Sequence, residues 1–181
     1  GYEYLRDTEM VIEIAVGLWR AAYDQAHPLA TEHGVRGGGK QAELTYEDVL
    51  TMIDAVGEGV HHTHNDLILR VIYAAGLRVN ELTALLVADI ELDERRLFIR
   101  DAKEAKDRYT LIDKGTAELL RTLVAGKPQN EVVFPVKDSL IRHFIESAAE
   151  KTGLAAKYEA LGQPTLSPHT FRHAHAMHLY Y

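Results

Sequence analysis

The sequence predicts an α+β domain, mainly α, with one small antiparallel hairpin or three-stranded sheet. Two observations carry that expectation. Stretches with apolar residues at helical spacing, bounded by capping residues and glycines, fill most of the chain. Only two short runs suited to strands, residues 96–100 and 109–112, stand beside each other across a charged turn. With 181 residues, 46% hydrophobic and 26% charged, the chain has the length and balance of a globular protein with a sizeable core.

The elements follow in order. Residues 9–26 read as a helix, with Met10, Ile14, Leu18 and Ala21 or Ala22 on one face. Pro28 and Gly37-Gly38-Gly39 mark a connection over residues 28–44, so residues 1–27 look like the tail of one unit joined to a larger one at 45–181. Thr45, with Asp48 three residues on, resembles a capping box and opens a helix bearing Val49, Leu50, Met52, Ile53 and Val56. After a loop at 57–64, Asn65 is placed to cap a helix running through Leu67, Ile68, Val71 and Ile72 to Gly76, a suitable left-handed stop. Asn80 is placed to cap a short helix through Leu86. Residues 114–125 read as a helix ending at Gly126, Val132–Phe134 as an extended piece, and 138–152 as a helix stopping near Gly153. Ser167 and Pro168 form a matched helix start for the last segment. No internal repeat is present.

The absence of cysteine excludes disulfides and thiolate chemistry and fits a reducing, cytoplasmic setting. No apolar run approaches the ~20 residues of a membrane span, and the acidic N-terminus (Glu3, Asp7, Glu9) is unlike a targeting segment. Net charge is −7, which taken whole argues against nucleic acid. Its distribution argues the other way. Residues 1–44 carry four basic and seven acidic side chains, residues 45–94 two and ten, and residues 95–181 fourteen and ten. The basic excess is densest at Arg95, Arg96, Arg100, Lys103, Lys106 and Arg108, either a phosphate-binding surface or a solvated charged face.

Three elements carry candidate chemistry. His169 and Arg172 lie three residues apart, on one face of the first turns of the last helix. Backbone N–H groups there favour an anion, a neutral His169 can accept a proton, and Arg172 offers a fork for two phosphate oxygens. Arg78 projects from a tight junction between two helices, with Glu81 close enough to buttress it. Lys103, at a hairpin tip, can neutralise phosphate and give up a proton to a leaving alkoxide. Each element alone is more commonly a surface charge or a structural salt bridge than a site. His61, His62 and His64, or His169, His173 and His178, lack acidic or cysteine partners at ligand spacing, so no metal site is expected. Trp19 and Tyr23 read as packing residues.

Together the motifs resemble the tyrosine recombinase (phage integrase) family. Its first arginine box, a-x-G-L-R-x-x-E-L, is matched by Ala74 through Leu82. Its D-I pair is matched by Asp89-Ile90, and its G-K-G-x-K-x-R hairpin by Ala102 through Arg108. Its second box, S-P-H-x-x-R-H, is matched by Ser167 through His173. The resemblance covers residues 45–181 and implies the family's catalytic fold, mainly α with a small antiparallel sheet; residues 1–27 then resemble the last helix of its core-binding domain. It implies that Arg78 and Arg172 clamp the scissile phosphate, that Lys103 (or Lys106) protonates the departing 5′-oxygen, and that His169 assists proton transfer. It also implies double-stranded DNA as partner, with Arg78, Lys103, Lys106, Arg108 and Arg172 on the DNA and Glu81 in support.

By the same resemblance, a tyrosine forms a 3′-phosphotyrosyl link whose bond energy is kept, so neither metal nor nucleotide cofactor is required. The family's L-G-H motif and its nucleophilic tyrosine fall beyond Tyr181, while Tyr180 and Tyr181 align with apolar helix residues. The expectation is therefore a catalytic domain cut before its nucleophile, inactive alone for cleavage. Active forms of the family are tetramers on DNA; without the tail, a monomer or weak dimer is expected. The hairpin departs from the family in lacking glycines around Lys103, and the acidic 45–94 segment is unusual for a DNA clamp. A non-cleaving DNA-binding regulator and a type IB topoisomerase-like enzyme are the competing readings, the second box and the compact arginine-box spacing favouring recombinase over topoisomerase.

Overall fold

The structure is a computed structural model that describes residues 43–57, 64–100 and 107–180. The expected helix at 9–26, most of the 28–44 connection, and the hairpin tip with Lys103 and Lys106 lie outside the described residues. Seven α-helices and one small sheet are described: α1 (Tyr46–Gly57), α2 (Asn65–Ala75), α3 (Val79–Thr83), a 3-10 turn (Val87–Asp89), β1 (Ile90–Glu91), β2 (Arg96–Ile99), β3 (Arg108–Leu111), α4 (Lys114–Val124), α5 (Asp138–Lys151), α6 (Leu154–Ala160) and α7 (Pro168–Tyr180). The mainly helical α+β class expected from the sequence is the observed one.

Helix α2 is the hub. Leu67, Ile68, Leu69, Val71, Ile72, Tyr73 and Ala75 are all buried, so the helix is apolar nearly all round. That pattern requires neighbours on several sides, and α1, α4, α7, α3 and β3 supply them. Each buried Leu, Ile or Val here contributes roughly 1.5–3 kcal/mol. From α7 the core receives Phe171 and Ala174, and from α5 Ile141 and Ile145.

The sheet is antiparallel throughout, in the order β1-β2-β3. Its register pairs Leu97 with Thr110, Phe98 with Tyr109 and Ile99 with Arg108. Side chains alternate between faces along a strand. Leu97 and Ile99 are therefore buried on the inner face that also bears Arg108 and Thr110, while Phe98 and Tyr109 meet at a tilt on the outer face, ring centroids 5.2 Å apart.

Several local expectations change. Asn80 does not cap α3; it lies inside the helix, whose N-cap is Arg78, and the helix ends at Thr83 rather than Leu86. The Glu81 carboxylate, three residues into the turn, takes the N-cap N–H of Arg78 at 2.7 Å, the reaching-back half of a capping box. Likewise Asn65 is the first residue of α2 and His64 its N-cap. The Thr45–Asp48 box is present, with reciprocal bonds of 3.1 and 3.3 Å. Helix α6 was not expected: LAAKYEA has no strong start signal, and it forms because Leu154 and Tyr158 bury one face against α5 and the core. Among the described residues no helix is long and apolar enough to cross a membrane.

Candidate active site

The first arginine box is a stopped helix followed by an abrupt restart. Gly76 ends α2 at φ 60°, ψ 37°, the left-handed conformation that glycine adopts without Cβ strain. A Cβ at this position would lie 2.5 Å from Cδ2 of His175, so α7 closes directly over the turn. Leu77 then turns into the core with no exposure, and Arg78 emerges in an extended conformation. Alternation of a buried leucine and a projecting arginine is what a tight junction over a core imposes.

Glu81 is the centre of the site. Its side chain is only 7% exposed, and three arginines from three elements reach it. Arg78 Nη1 donates to Oε1 at 3.2 Å. Arg108, the first residue of β3, makes a two-toothed fork: Nη1 to Oε1 and Nη2 to Oε2, each 2.9 Å. Arg172, from α7, places Nη1 3.7 Å from Oε2 and donates from the same nitrogen to the Gly76 carbonyl. Burial by itself would raise the Glu81 carboxyl. The bonds from Arg108 and the Arg78 backbone, with the charges of Arg108 and Arg172, outweigh it and hold the group below its ordinary value. Glu81 is thus an anion at neutral pH, and these four groups, three guanidinium and one carboxylate, together carry about +2.

Arg78 and Arg172, 94 positions apart in the sequence, are thus brought to one carboxylate, as the motif reading required of a shared site. His169 stands in the first turn of α7, exposed, one helical turn before Arg172. Lys103 and Lys106 lie outside the described residues. The basic cluster read from the sequence divides by strand parity. Arg108 faces the site, whereas Arg96 pairs with Glu91, its guanidinium 4.3 Å over the Tyr109 ring on the outer face. Arg100 pairs with the buried Asp89, its guanidinium over the Phe98 ring.

Two residues outside the sequence-derived set support this geometry. His178 of α7 bonds the Tyr73 hydroxyl through Nδ1 (2.8 Å) and the Leu44 carbonyl through Nε2 (2.9 Å). A carbonyl only accepts, so Nε2 of the neutral ring carries the proton and Tyr73 donates to Nδ1. His175 packs edge-on to the Tyr73 ring; burial, against a hydrogen bond with the Tyr73 backbone, brings it down to about 4. Both histidines therefore tie α7 to α2 beside the arginine box. Nothing in their spacing separates this role from a surface or metal-binding one; only the partner residues do.

With this geometry in view, the family model described as "Phage integrase family" matches residues 42–181. The chain belongs to that family, the tyrosine recombinases, and the described fold is that of their catalytic domain. Tyrosine recombinase XerD of Brucella suis is 34% identical over 132 residues, covering 68% of this chain and 41% of that protein. Tyrosine recombinase XerA of Thermococcus kodakarensis is 30% identical over 136 residues, covering 75% and 48%. A solved structure of the XerH site-specific recombinase bound to its difH substrate superposes with a TM-score of 0.61 at 19% identity, covering 78% of this chain and 43% of that one. The chain spans less than half the length of these relatives.

Proposed function

We propose that this chain supplies the phosphate-binding catalytic machinery of a site-specific recombinase, which cuts and rejoins DNA through a 3′-phosphotyrosyl intermediate. The observation that carries the reading is the convergence of Arg78 and Arg172 on one buried carboxylate. Two guanidinium groups beside a fixed anion suit the two non-bridging oxygens of a phosphodiester, whose negative charge grows as a fifth ligand attacks phosphorus.

In this reading Arg78 and Arg172 hold the scissile phosphate. His169, one turn before Arg172, exchanges a proton with the attacking hydroxyl, and Lys103 or Lys106 protonates the departing 5′-oxygen. These residues bind and polarise the phosphate, and none of them is the nucleophile. Double-stranded DNA is the partner, with the full-length protein assembling as a tetramer upon it. No metal or nucleotide is called for: the guanidinium groups supply the charge stabilisation, and the phosphotyrosyl bond stores the energy for rejoining.

Duplex DNA binding across a salt series tests this, with Arg78→Ala/Arg172→Ala beside the wild type. The expected loss in the double variant is at least on the order of a hundredfold at low salt. The log–log salt slope should become shallower by about 1.8, for two lost phosphate contacts. Equal affinity and slope in the two proteins would remove the reading.

A further inference from the structure

We propose that Arg108 is a positioning residue that acts on the bound phosphate through Glu81: by holding both carboxylate oxygens it keeps Arg78 and Arg172 presented as the clamp. The inference rests on the phosphate-clamp reading above. Sequence alone groups Arg108 with the hairpin cations as a DNA contact; its geometry suits a different task.

Three observations support it. Both terminal nitrogens of Arg108 face both oxygens of Glu81 at 2.9 Å, the parallel fork in which a guanidinium matches a carboxylate. The strand is fastened to the same turn a second time, because Thr110, two residues on and on the same face, donates its hydroxyl to the Ala75 carbonyl at 2.9 Å. The charge arithmetic also requires a third cation. Glu81 lies 3.2 Å from Arg78 Nη1 and 3.7 Å from Arg172 Nη1, so a carboxylate without Arg108 would be neutralised by the clamp arginines themselves. The site would fall from about +2 to about +1, and both guanidinium groups would be drawn toward Glu81 and away from a phosphate. Because Arg108 opens β3, the same fork ties that strand to the arginine box.

A charge-balanced cycle separates this role from direct phosphate contact. Duplex DNA affinity and salt slope are measured for wild type, Arg108→Gln, Glu81→Gln and the double variant. Arg108→Gln is expected to weaken binding about tenfold or more. Glu81→Gln/Arg108→Gln, which returns the site to about +2, is expected to recover to within about threefold of wild type. A double variant that binds no better than Arg108→Gln would overturn the proposal, since a lost phosphate contact is not restored by neutralising Glu81.

Titration of the Glu81 carboxyl by carbon NMR needs no DNA. Its midpoint should rise in Arg108→Gln, and part of the way in Arg108→Lys, which keeps the charge but not the fork and serves if the glutamine variant does not fold. An unmoved midpoint would also overturn the proposal. Should the wild type fail to bind duplex at all, the clamp reading fails, while the titration still decides whether Arg108 governs Glu81.

Discussion

At position 76 a single hydrogen in place of a side chain sets the spacing of the site. The residue takes a positive φ, its carbonyl receives Arg172, and the His175 ring occupies the space a Cβ would need. Gly76→Ala should therefore cost at least about 1–2 kcal/mol from the backbone alone, with more from displacing His175. Urea unfolding would show this as a lower midpoint at unchanged slope. The stop at Gly76 and the projection of Arg78 were both legible, because each follows from local backbone chemistry. What the residue-level reading could not contain was the tie between Glu81 and Arg108, 27 positions apart. Sequence proximity made Glu81 a partner of Arg78, and it is; the stronger fork comes from a strand whose register no local pattern specifies.

Helices α1 and α6 are clasped by a cluster around the buried Asp48. The Asp48 carboxylate, within its capping box, also accepts from Lys157 Nζ at 2.8 and 2.9 Å and from the Tyr158 hydroxyl at 2.5 Å. Burial raises the Asp48 carboxyl, but the bonds from Lys157, Tyr158 and Thr45 prevail and lower it. A lowered folded value means stability that is fully present above the unfolded value of about 3.9 and is lost as pH falls through the folded one. His175, brought from 6.5 to about 4, acts in the same direction over a higher window. Its neutral ring contributes fully above pH 6.5, and that contribution is lost as pH falls toward 4. Chemical unfolding as a function of pH should thus show stability declining from about pH 6.5 downward. His175→Phe is expected to flatten the decline between 6.5 and 4, and Asp48→Asn the part below about 4. A decline unchanged in both variants would locate the acid sensitivity elsewhere. The capping half of the Asp48 cluster was legible, since Thr45 and Asp48 are three residues apart. The other half was not, because Lys157 and Tyr158 ride on a helix whose sequence carries no start signal and which forms through tertiary burial.

Over the whole molecule, the net charge of −7 conceals a local cationic site. Arg96 and Arg100 are matched to Glu91 and Asp89, so these two members of the dense basic stretch are paired within the fold. The positive charge around Glu81 is assembled from the turn after α2, the start of β3 and the first turns of α7, which pack around a common hub. Motif order and spacing made the fold class and the Arg78–Arg172 pairing legible, because a shared site requires the two boxes to meet. Strand parity decided which basic residues join them, and parity depends on a register that emerges only when Leu97 and Ile99 seek the core. The clamp is tested most directly by a crystal structure of this chain with a short DNA duplex. The expected result is one backbone phosphate within hydrogen-bonding distance of both Arg78 and Arg172, with Arg108 still forked on Glu81 behind them. A duplex seated with no phosphate in reach of either arginine would contradict it.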